Sequence, residues 1–347
     1  LKVMANLDLT QTRRPQDGKF RFTSRGETLD VRLSTIPTVC GENIVMRLLR
    51  PHGQILDFAD LGMPQDAVEG IEEILSHPHG MLLVTGPTGS GKTSTLYTGV
   101  KKLNTPNVSI VTIEDPVEIR MHGVRQVQAN TEIGFTFAGA LRSILRQDPD
   151  IILLGEIRDA ETALIATQAS LTGHFVLSTL HTNDAAGAIA RLKDLGVPSF
   201  VITSAVLGIL AQRLVRRVCT DCARPATPEP VLLHRFGVQG TDDRFMKGAG
   251  CARCGGSGMK GRTGIYELLR VTPEMALEIE RGSTTVQLNA FATAHGMTPM
   301  WRDGLNKARY QSGRSRARSS LALIRGMCFA LLFFLGSSSK SPSSSLM

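Results

Sequence analysis

The residues with the clearest chemical potential form a glycine-rich segment, Gly86-Pro87-Thr88-Gly89-Ser90-Gly91-Lys92-Thr93. The segment has the spacing G-x-x-x-x-G-K-[ST] and follows an apolar run at residues 81–85. Backbone N–H groups of such a turn, together with the N-terminus of a following helix, bind phosphate oxygens. Lys92 would reach the β- and γ-phosphates of ATP, the Thr93 hydroxyl would hold Mg²⁺, and Ser94 would complete the site. The alternative is a glycine-rich turn without a ligand, and the flanking strand and helix patterns argue against it.

A single carboxylate, Glu156, follows the apolar run Ile151–Leu154. At the end of a strand beside a phosphate-binding loop, such a carboxylate can orient or deprotonate the water that attacks the γ-phosphate. Gly155 stands where many enzymes of this kind carry Asp, so the pattern does not indicate a direct carboxylate ligand to Mg²⁺. The alternative is that Glu156 is an ordinary acidic residue at a strand end.

Four of the six cysteines form two Cys-x-x-Cys pairs, Cys219/Cys222 and Cys251/Cys254, separated by residues 223–250. Four thiolates in paired turns suit a tetrahedral Zn²⁺ ion with no coordination position left for catalysis. Such an ion would be structural, because it would fix a loop-rich insert with few apolar residues. Buried reduced thiols and a redox pair are the alternatives. The other two cysteines, Cys40 and Cys328, are predicted to be plain thiols.

The elements that must position these residues change character along the chain. Residues 1–50 alternate with period two, which predicts short strands in a small α+β unit. From Pro64, apolar residues at helical spacing predict a helix that ends before residues 78–80. Apolar runs at 81–85, 109–113, 151–154 and 175–179 predict buried strands, and helical stretches separate them. This alternation favours a three-layer α/β domain with a mainly parallel sheet. A helical region is predicted around the paired cysteines and onward to about residue 310.

Four stretches of the sequence together resemble the secretion ATPase family, which drives type II secretion and type IV pilus machines. The resemblance covers residues 2–309, and a Gly-Glu ending of the second motif is ordinary in that family. The four stretches are residues 86–93, 113–118 (IEDPVE), 145–159 (LRQDPDIILLGEIRD) and 172–183 (TGHFVLSTLHTN).

The resemblance implies a role for each residue that matches a family motif. Glu156 would be the catalytic glutamate, and an acidic box near Mg²⁺ and its waters would comprise Glu114, Asp115 and Glu118. A histidine box that senses nucleotide or contacts a neighbouring subunit would comprise His174 and His181. Two arginines of the preceding domain, Arg32 and Arg47, would swing onto the phosphates. Without the resemblance, the histidines would be hydrogen-bonded core residues and the arginines ordinary surface residues of strands.

The resemblance also implies a fold, and with the patterns above it divides the chain into six segments. They are a truncated, PAS-like α+β domain at 1–52, a linker at 53–62, a RecA-like P-loop ATPase core at 63–210, a tetracysteine zinc module at 211–270, a helical region at 271–310 and an atypical tail at 311–347. The tail is interpreted as disordered, as the product of a shifted reading frame, or as specific to one lineage. The first residue is Leu and no apolar leader follows, so we expect a fragment that lacks its N-terminus and, from the resemblance, the family's recruitment domain.

The function that the resemblance implies is an ATP-hydrolysing motor of a type II secretion system. It would be a homohexamer in the cytoplasm, peripheral at the bacterial inner membrane, and bound to the cytoplasmic domain of a membrane platform protein. A type IV pilus assembly ATPase is the alternative, and a RecA-like nucleic-acid translocase or a non-catalytic nucleotide-binding scaffold is less favoured. The cysteine quartet argues against a retraction-type ATPase, and residues 169–174 and 261–268 are more similar to the type II branch.

Composition and charge exclude several other classes of protein. Apolar residues make up 42% and charged residues 20%, which is typical of a globular protein with a core. Aromatic residues make up only 5%, which argues against a stacking surface for single-stranded nucleic acid. The net charge is +8, and seven Lys and Arg residues lie after Asp303 without a balancing acid. The positive charge is therefore concentrated at the end of the sequence, and residues 1–303 are close to neutral. We therefore predict no nucleic-acid partner. The apolar run 327–335 is too short to cross a bilayer, so no membrane span is predicted.

Overall fold

The computed structural model describes residues 1–24, 27–49, 55–130, 133–227 and 245–309. They form two compact units. The first unit comprises Leu1–Ile55 with Pro116–His122, and the second comprises Leu56–Asp115 with the chain from Gly123 onward. The predictions for Cys328 and for the tail at 311–347 lie outside the described residues. None of the described helices combines the length and the apolar character needed to cross a membrane.

The first unit contains a three-stranded antiparallel sheet in the order β1-β2-β3. Its strands are β1 (Gln16–Ser24), β2 (Glu27–Thr38) and β3 (Gly41–Leu49). Side chains alternate between two faces, as the period-two pattern predicts, and Val31 and Leu33 are buried on the apolar face. The described part of this unit contains strands and turns but no helix. The predicted PAS-like fold therefore remains a prediction.

The second unit is built on a seven-stranded sheet in the order β12-β9-β4-β8-β7-β5-β6. All neighbouring strands are parallel except β12 and β9, which are antiparallel. A separate antiparallel pair, β10 with β11, follows β9 in the sequence. The strands are β4 (Gly80–Thr85), β5 (Ile110–Glu114), β6 (Arg125–Gln128), β7 (Ile151–Leu154), β8 (Phe175–Leu180), β9 (Val206–Val218), β10 (Ala223–Ala226), β11 (Phe245–Gly248) and β12 (Met259–Arg270).

Nine described helices accompany this sheet. They are α1 (Gln65–Leu75), α2 (Lys92–Leu103), α3 (Phe137–Ile144), α4 (Ala160–Leu171), α5 (Ala185–Asp194), α6 (Ser199–Ala205), α7 (Pro273–Glu280), α8 (Thr285–Ala294) and α9 (Met300–Ala308). Two helices that follow site strands begin at Asp caps. The Asp159 carboxylate accepts the N–H of Thr162 at the start of α4, and the Asp184 carboxylate accepts the N–H of Gly187 at the start of α5.

The core lies at the central strands, where every residue of β4, β5, β7 and β8 is buried. Continuous apolar runs are typical of parallel strands that are covered by helices on both faces. The predicted mixed α/β fold with a mainly parallel sheet is therefore confirmed. The carboxyl ends of these strands carry the phosphate-binding loop, the acidic segment and Glu156, which places them at one edge of the sheet.

The prediction of a helical region around the cysteines was wrong, because strands β9 to β12 occupy that part of the chain. The run from Val206 to Ala211 is apolar at nearly every position, and such a run fits a buried helix as well as a buried strand. Pairing with β4 on one side and β12 on the other makes it a strand. The helices of the C-terminal part begin only at α7. Residue 210, the predicted end of the core, lies inside β9, and the division into six segments stays a prediction.

Candidate functional site

The glycine-rich segment forms the turn between β4 and α2. Gly86, Gly89 and Gly91 all have positive φ, at 146°, 78° and 91°, a region that side chains with a Cβ rarely adopt. A Cβ at Gly86 would lie 2.4 Å from the backbone oxygen of Gln212 on β9. Glycine is therefore required there both by the backbone angle and by the approach of β9.

The Lys92 ammonium group lies over this turn. Its Nζ atom donates to the backbone oxygens of Gly86 at 2.8 Å and Pro87 at 3.3 Å. Burial lowers the pKa of Lys92, and the negative charge of Glu156 acts in the opposite direction. The structure therefore brings Lys92 and Glu156 within electrostatic reach, as the sequence predicts.

The first turn of α2 supplies the other groups that a phosphate chain needs. Thr93 is half-buried and Ser94 is exposed, and both follow Lys92 in that turn. The first N–H groups of a helix have no partner within the helix and carry a partial positive charge, so they bind anions. The Thr93 hydroxyl is the group of this turn that could hold Mg²⁺.

Glu156 lies just beyond β7 between the side chains of Arg158 and His181. Its Oε1 atom accepts a hydrogen bond from the Arg158 guanidinium, and its Oε2 atom lies 3.3 Å from Nε2 of His181. Burial raises the pKa of Glu156, but the hydrogen bond and charge of Arg158, with His181, outweigh it, and the pKa lies below its ordinary value. Glu156 is therefore ionised and oriented, and the sequence prediction did not include Arg158.

Gly155, which stands where many such enzymes have Asp, lies close to the neighbouring strand. A Cβ at this position would lie 3.2 Å from the backbone oxygen of Ile113 on β5, and the Gly155 N–H donates to that oxygen at 2.8 Å. A side chain would push β7 away from β5. The glycine thus has a packing reason, and the carboxylate at this strand end comes from the next residue, Glu156.

The three residues of the predicted acidic box are placed differently. Glu114 is buried at the end of β5, where its oxygens accept hydrogen bonds from Tyr97 of α2, from Thr112 at 2.6 Å and from Gln126 at 3.3 Å. Both of its oxygens are therefore engaged by side chains, and Tyr97 was not predicted. Asp115 is exposed in the second unit, whereas Glu118 is exposed in the first.

The two residues of the predicted histidine box lie at opposite ends of β8. His181 follows the carboxyl end and meets Glu156. His174 precedes the amino end, where its Nδ1 atom lies 3.0 Å from the backbone oxygen of Ala169. A strand of six residues is about 20 Å long. Within one chain, the structure therefore does not bring His174 to the phosphate-binding loop.

The two predicted arginines of the first unit face each other across two strands. Arg32 on β2 is paired in register with Arg47 on β3, and Lys19 on β1 is paired with Arg32 on its other side. Arg47 and Lys19 are exposed and Arg32 is half-buried. None of the three has an ion pair among the described residues, and like charges directly opposite each other disfavour the pairing. The row therefore suits an anion, and counting the register could have found Lys19.

The four paired cysteines form one cluster, in which all sulfur atoms lie within 4.8 Å of one another. Sγ–Sγ distances are 3.8 Å for Cys219–Cys251, 3.9 Å for Cys222–Cys254 and 3.7 Å for Cys251–Cys254. Four sulfurs at about 2.3 Å from a tetrahedral ion would be about 3.8 Å apart. The predicted quartet is therefore brought together with spacing that fits a metal ion.

Backbone groups favour the thiolate at one of these cysteines, Cys254. Burial acts to raise the pKa of Cys254, but the N–H groups of Cys251 and Gly258 donate to its sulfur and bring the pKa to about 6. Burial raises the pKa of Cys222 to about 11. Thiolates are the metal-binding form of cysteine. Cys40 is an exposed free thiol.

Comparison with known proteins places these features in a family. The family described as "Type II/IV secretion system protein" matches residues 1–317. The chain is 49% identical over 313 residues to the type IV pilus assembly ATPase PilB of Thermus thermophilus, covering 89% of this chain and 35% of that protein. It is 46% identical over 313 residues to the type II secretion system ATPase E of Vibrio cholerae, covering 89% of this chain and 61% of that protein.

A solved structure agrees with these relatives. The pilus retraction motor PilT with bound ADP has a TM-score of 0.56 and 27% sequence identity, covering 84% of this chain and 77% of that chain. The chain spans about a third to three fifths of the length of the two relatives above. The family match includes all the described residues, among them the loop, Glu156 and the cysteine cluster. The chain therefore belongs to the type II/IV secretion system protein family.

Proposed function

We propose that the chain is the ATP-hydrolysing motor of a type II secretion system, which powers pseudopilus assembly and protein export across the outer membrane. The observation that carries the proposal is the placement of Lys92 and an ionised Glu156 at one edge of the sheet. One residue neutralises phosphate charge and the other activates water, and a nucleotide-binding scaffold needs only the first. The relative named type II secretion system ATPase E, at 46% identity, supports the choice of machine.

The proposed reaction follows from the side chains at this edge. The turn and the start of α2 would bind the phosphates of ATP, with Mg²⁺ held through Thr93 and charge neutralised by Lys92. Glu156 would accept a proton from the attacking water or orient it. Arg158 and His181 would hold the carboxylate, because each contacts one of its two oxygens.

Two substitutions test this function. Lys92→Ala should abolish ATP binding, because it removes the positive charge at the β- and γ-phosphates. Glu156→Gln should retain binding but reduce turnover by at least about 10²-fold, because the amide cannot take a proton. Equilibrium titration and phosphate release measure the two effects, and Glu161→Gln on the exposed surface of α4 is a matched control. A Glu156→Gln protein with wild-type turnover would contradict the mechanism.

A second candidate is the assembly motor of a type IV pilus, since the relative named PilB is 49% identical. The two readings share every residue of the site, so the site does not separate them. Genes for a secretin, a pseudopilin and a membrane platform protein beside this gene would identify the secretion machine. DNA-stimulated ATPase activity would instead favour a nucleic-acid translocase.

We also propose that the four cysteines hold one structural Zn²⁺ ion per chain. The sulfur spacing supports this proposal, and four protein ligands leave no position for substrate. Elemental analysis should give close to one zinc per chain. Chelation should increase hydrogen exchange in β10, β11 and residues 251–258 more than in β4 and α2. Metal-free protein with unchanged exchange would contradict the proposal.

Assembly is the remaining part of the proposal. A homohexamer docked on the cytoplasmic face of the inner membrane would let Arg32 and Arg47 of a PAS-like first unit act on nucleotide phosphates. The row formed with Lys19 supports this role, because three cations on one sheet face that have no ion pair with any described residue suit a polyanion. His174, distant from the loop of its own chain, is proposed to contact a neighbouring subunit.

A further inference from the structure

Gln212 is a buried polar residue of β9 to which neither the sequence patterns nor the family motifs assign a role. Its side chain is 1% exposed. It lies one residue beyond Ala211, the last residue of β9 that pairs with β4. Because β4 and β9 are parallel, this position is level with the start of the phosphate-binding loop.

Both ends of the Gln212 amide contact the loop and its helix. Nε2 donates to the backbone oxygen of Ser90 at 2.8 Å, and Oε1 accepts from Oγ1 of Thr95 at 2.7 Å. Ser90 directly precedes Gly91 and Lys92 of the motif, and Thr95 lies in the first turn of α2. One side chain thus fixes the segment that contains Lys92 and Thr93 at both of its ends.

The rest of β9 lines the same loop. The backbone oxygen of Gln212 approaches Gly86, where it leaves no space for a Cβ. The next side chain on the same strand face, Leu214, lies 3.6 Å from the place of a Cβ at Gly91. The loop therefore packs against β9 at its two ends, Gly86 and Gly91, and Gln212 is a point of polar attachment.

We propose that Gln212 is a positioning residue that holds the phosphate-binding loop in its anion-binding conformation and so sets the affinity for nucleotide. The inference rests on the proposed ATPase function. Gln212 need not touch the nucleotide, because it acts through the Ser90 carbonyl and the Thr95 hydroxyl. Without it, the loop loses both attachments, and part of the binding free energy is spent on ordering the loop.

The test compares four variants of the full chain. Gln212→Met keeps the length of the side chain but removes donor and acceptor, and Thr95→Val removes one of the two hydrogen bonds. Thr95→Ser keeps the hydroxyl. Thr167→Val is the matched control, because Thr167 is also a buried helical threonine whose hydroxyl bonds to its own helix, at Ala163 in α4. Each variant is measured for the dissociation constant of a fluorescent ATP analogue, for KM and kcat, and for the thermal midpoint.

Gln212→Met should raise the dissociation constant and KM about tenfold, while kcat at saturating ATP stays within about threefold. Thr95→Val should raise the dissociation constant about fivefold, and adding it to Gln212→Met should have little further effect. Thr95→Ser should bind like the wild type. Thr167→Val should lower the thermal midpoint without changing the affinity for nucleotide. If Gln212 had only a structural role, Gln212→Met would behave in the same way as this control.

Wild-type affinity in Gln212→Met would overturn the inference, as would an equal loss of affinity in Thr95→Val and Thr167→Val. If Gln212→Met fails to fold, the comparison of Thr95→Val with Thr95→Ser decides the question alone. Failure of the wild-type chain to bind ATP would contradict the proposed function itself. Binding by the wild type with unchanged affinity in the variants would contradict only the role of Gln212.

Discussion

At the candidate active site, burial and the neighbouring Arg158 have opposite effects on the pKa of Glu156. The carboxylate is half-buried, which by itself favours its neutral form, and a hydrogen-bonded guanidinium from Arg158 reverses that tendency. The pairing in turn raises the pKa of Arg158. Because a base that stays ionised under acidic conditions would retain its function there, we expect the charge of Arg158 to set the lower pH limit of turnover.

Arg158→Gln should therefore move the acid limb of the pH–kcat profile to higher pH. Without the guanidinium, the largest contribution that opposes burial is lost and the pKa of Glu156 rises, so protonation inactivates the base at a higher pH. The expected movement is about one unit or more. Turnover measured from pH 4 to 9 at saturating ATP gives the limb, and Arg142→Gln, at an exposed ion pair with Glu161, is the control. An acid limb that does not move would show that Arg158 does not control Glu156.

Residues that are expected to bind phosphate or metal directly could be proposed from the sequence. Residues that act through another side chain or backbone group of the chain could not. The roles predicted for Lys92, Thr93 and the four cysteines follow from their spacing, because a phosphate loop and a metal knuckle are local structures. Gln212 contacts Thr95 across 117 positions of sequence. No local pattern marks such a contact, since only the pairing of β9 with β4 creates it.

At the scale of elements, β7 lies so close to β5 that replacing Gly155 should reduce the stability of the fold. Gly155→Ala should lower the free energy of unfolding by about 1–3 kcal/mol, because the added methyl group meets the Ile113 oxygen. Turnover should fall as well, since Glu156 is the next residue. The control is Gly99→Ala in α2, where the nearest atom to the new Cβ is 4.0 Å away and alanine favours the helix. Urea unfolding measures both variants, and equal stability of the two would contradict the packing argument.

A second element-scale prediction concerns Glu267 of β12, which caps two helices at once. Its oxygens accept the N–H groups of Ala185 at 2.9 Å and Met300 at 3.0 Å, the first residues of α5 and α9. Glu267→Ala would leave both buried donors without acceptors. It should reduce the free energy of unfolding by about 2–4 kcal/mol in urea titrations. An unchanged midpoint and slope would mean that the two helices do not depend on this carboxylate.

The strands of the seven-stranded sheet differ in how well local sequence patterns predict them. The central strands are short apolar runs between helices, and their order of appearance predicted them well. β9 and β12 lie in the part of the chain that was predicted to be helical, and the apolar run at the start of β9 fits a buried helix as well as a buried strand. Their structure depends on each other, through an antiparallel pairing that spans more than 40 residues of sequence. The first-unit strands, by contrast, follow directly from alternation.

At the scale of the whole molecule, the row formed by Lys19, Arg32 and Arg47 predicts a distinctive kinetic phenotype. Arg32→Ala and Arg47→Ala should each reduce turnover by about 10³-fold or more while ATP affinity changes little, because arginine charge acts on the transition state. Lys19→Ala should show a smaller effect in the same direction. Arg21→Ala, which removes an exposed cation already paired with Asp30, is the matched control. Turnover at the wild-type level in both arginine variants would contradict the proposed role.

Assembly can be measured with the same proteins. Light scattering of the wild type should show a larger species with a non-hydrolysable ATP analogue than without it, if the family's ring forms from this chain. Full turnover by a species that remains monomeric would contradict a ring mechanism. Sequence could predict the arginines only by resemblance, because their partners in function are not their neighbours along the chain.

Strand β9 connects the phosphate loop to the cysteine cluster, so a metal ion held there, as proposed, would offer a spectroscopic measure of movement in β9. Gln212 lies in β9 at the phosphate loop, and Cys219, the first thiol of the cluster, directly follows the end of β9 at Val218. The seven positions between Gln212 and Cys219 correspond to about 23 Å of extended chain. Cobalt(II) in a four-thiolate site absorbs visible light, and its bands respond to small changes in the angles between sulfurs. The visible absorption of cobalt-loaded protein, measured during a titration with nucleotide, would therefore show whether a structural change at the phosphate loop is transmitted along β9 to the cysteine cluster. No label would have to be attached.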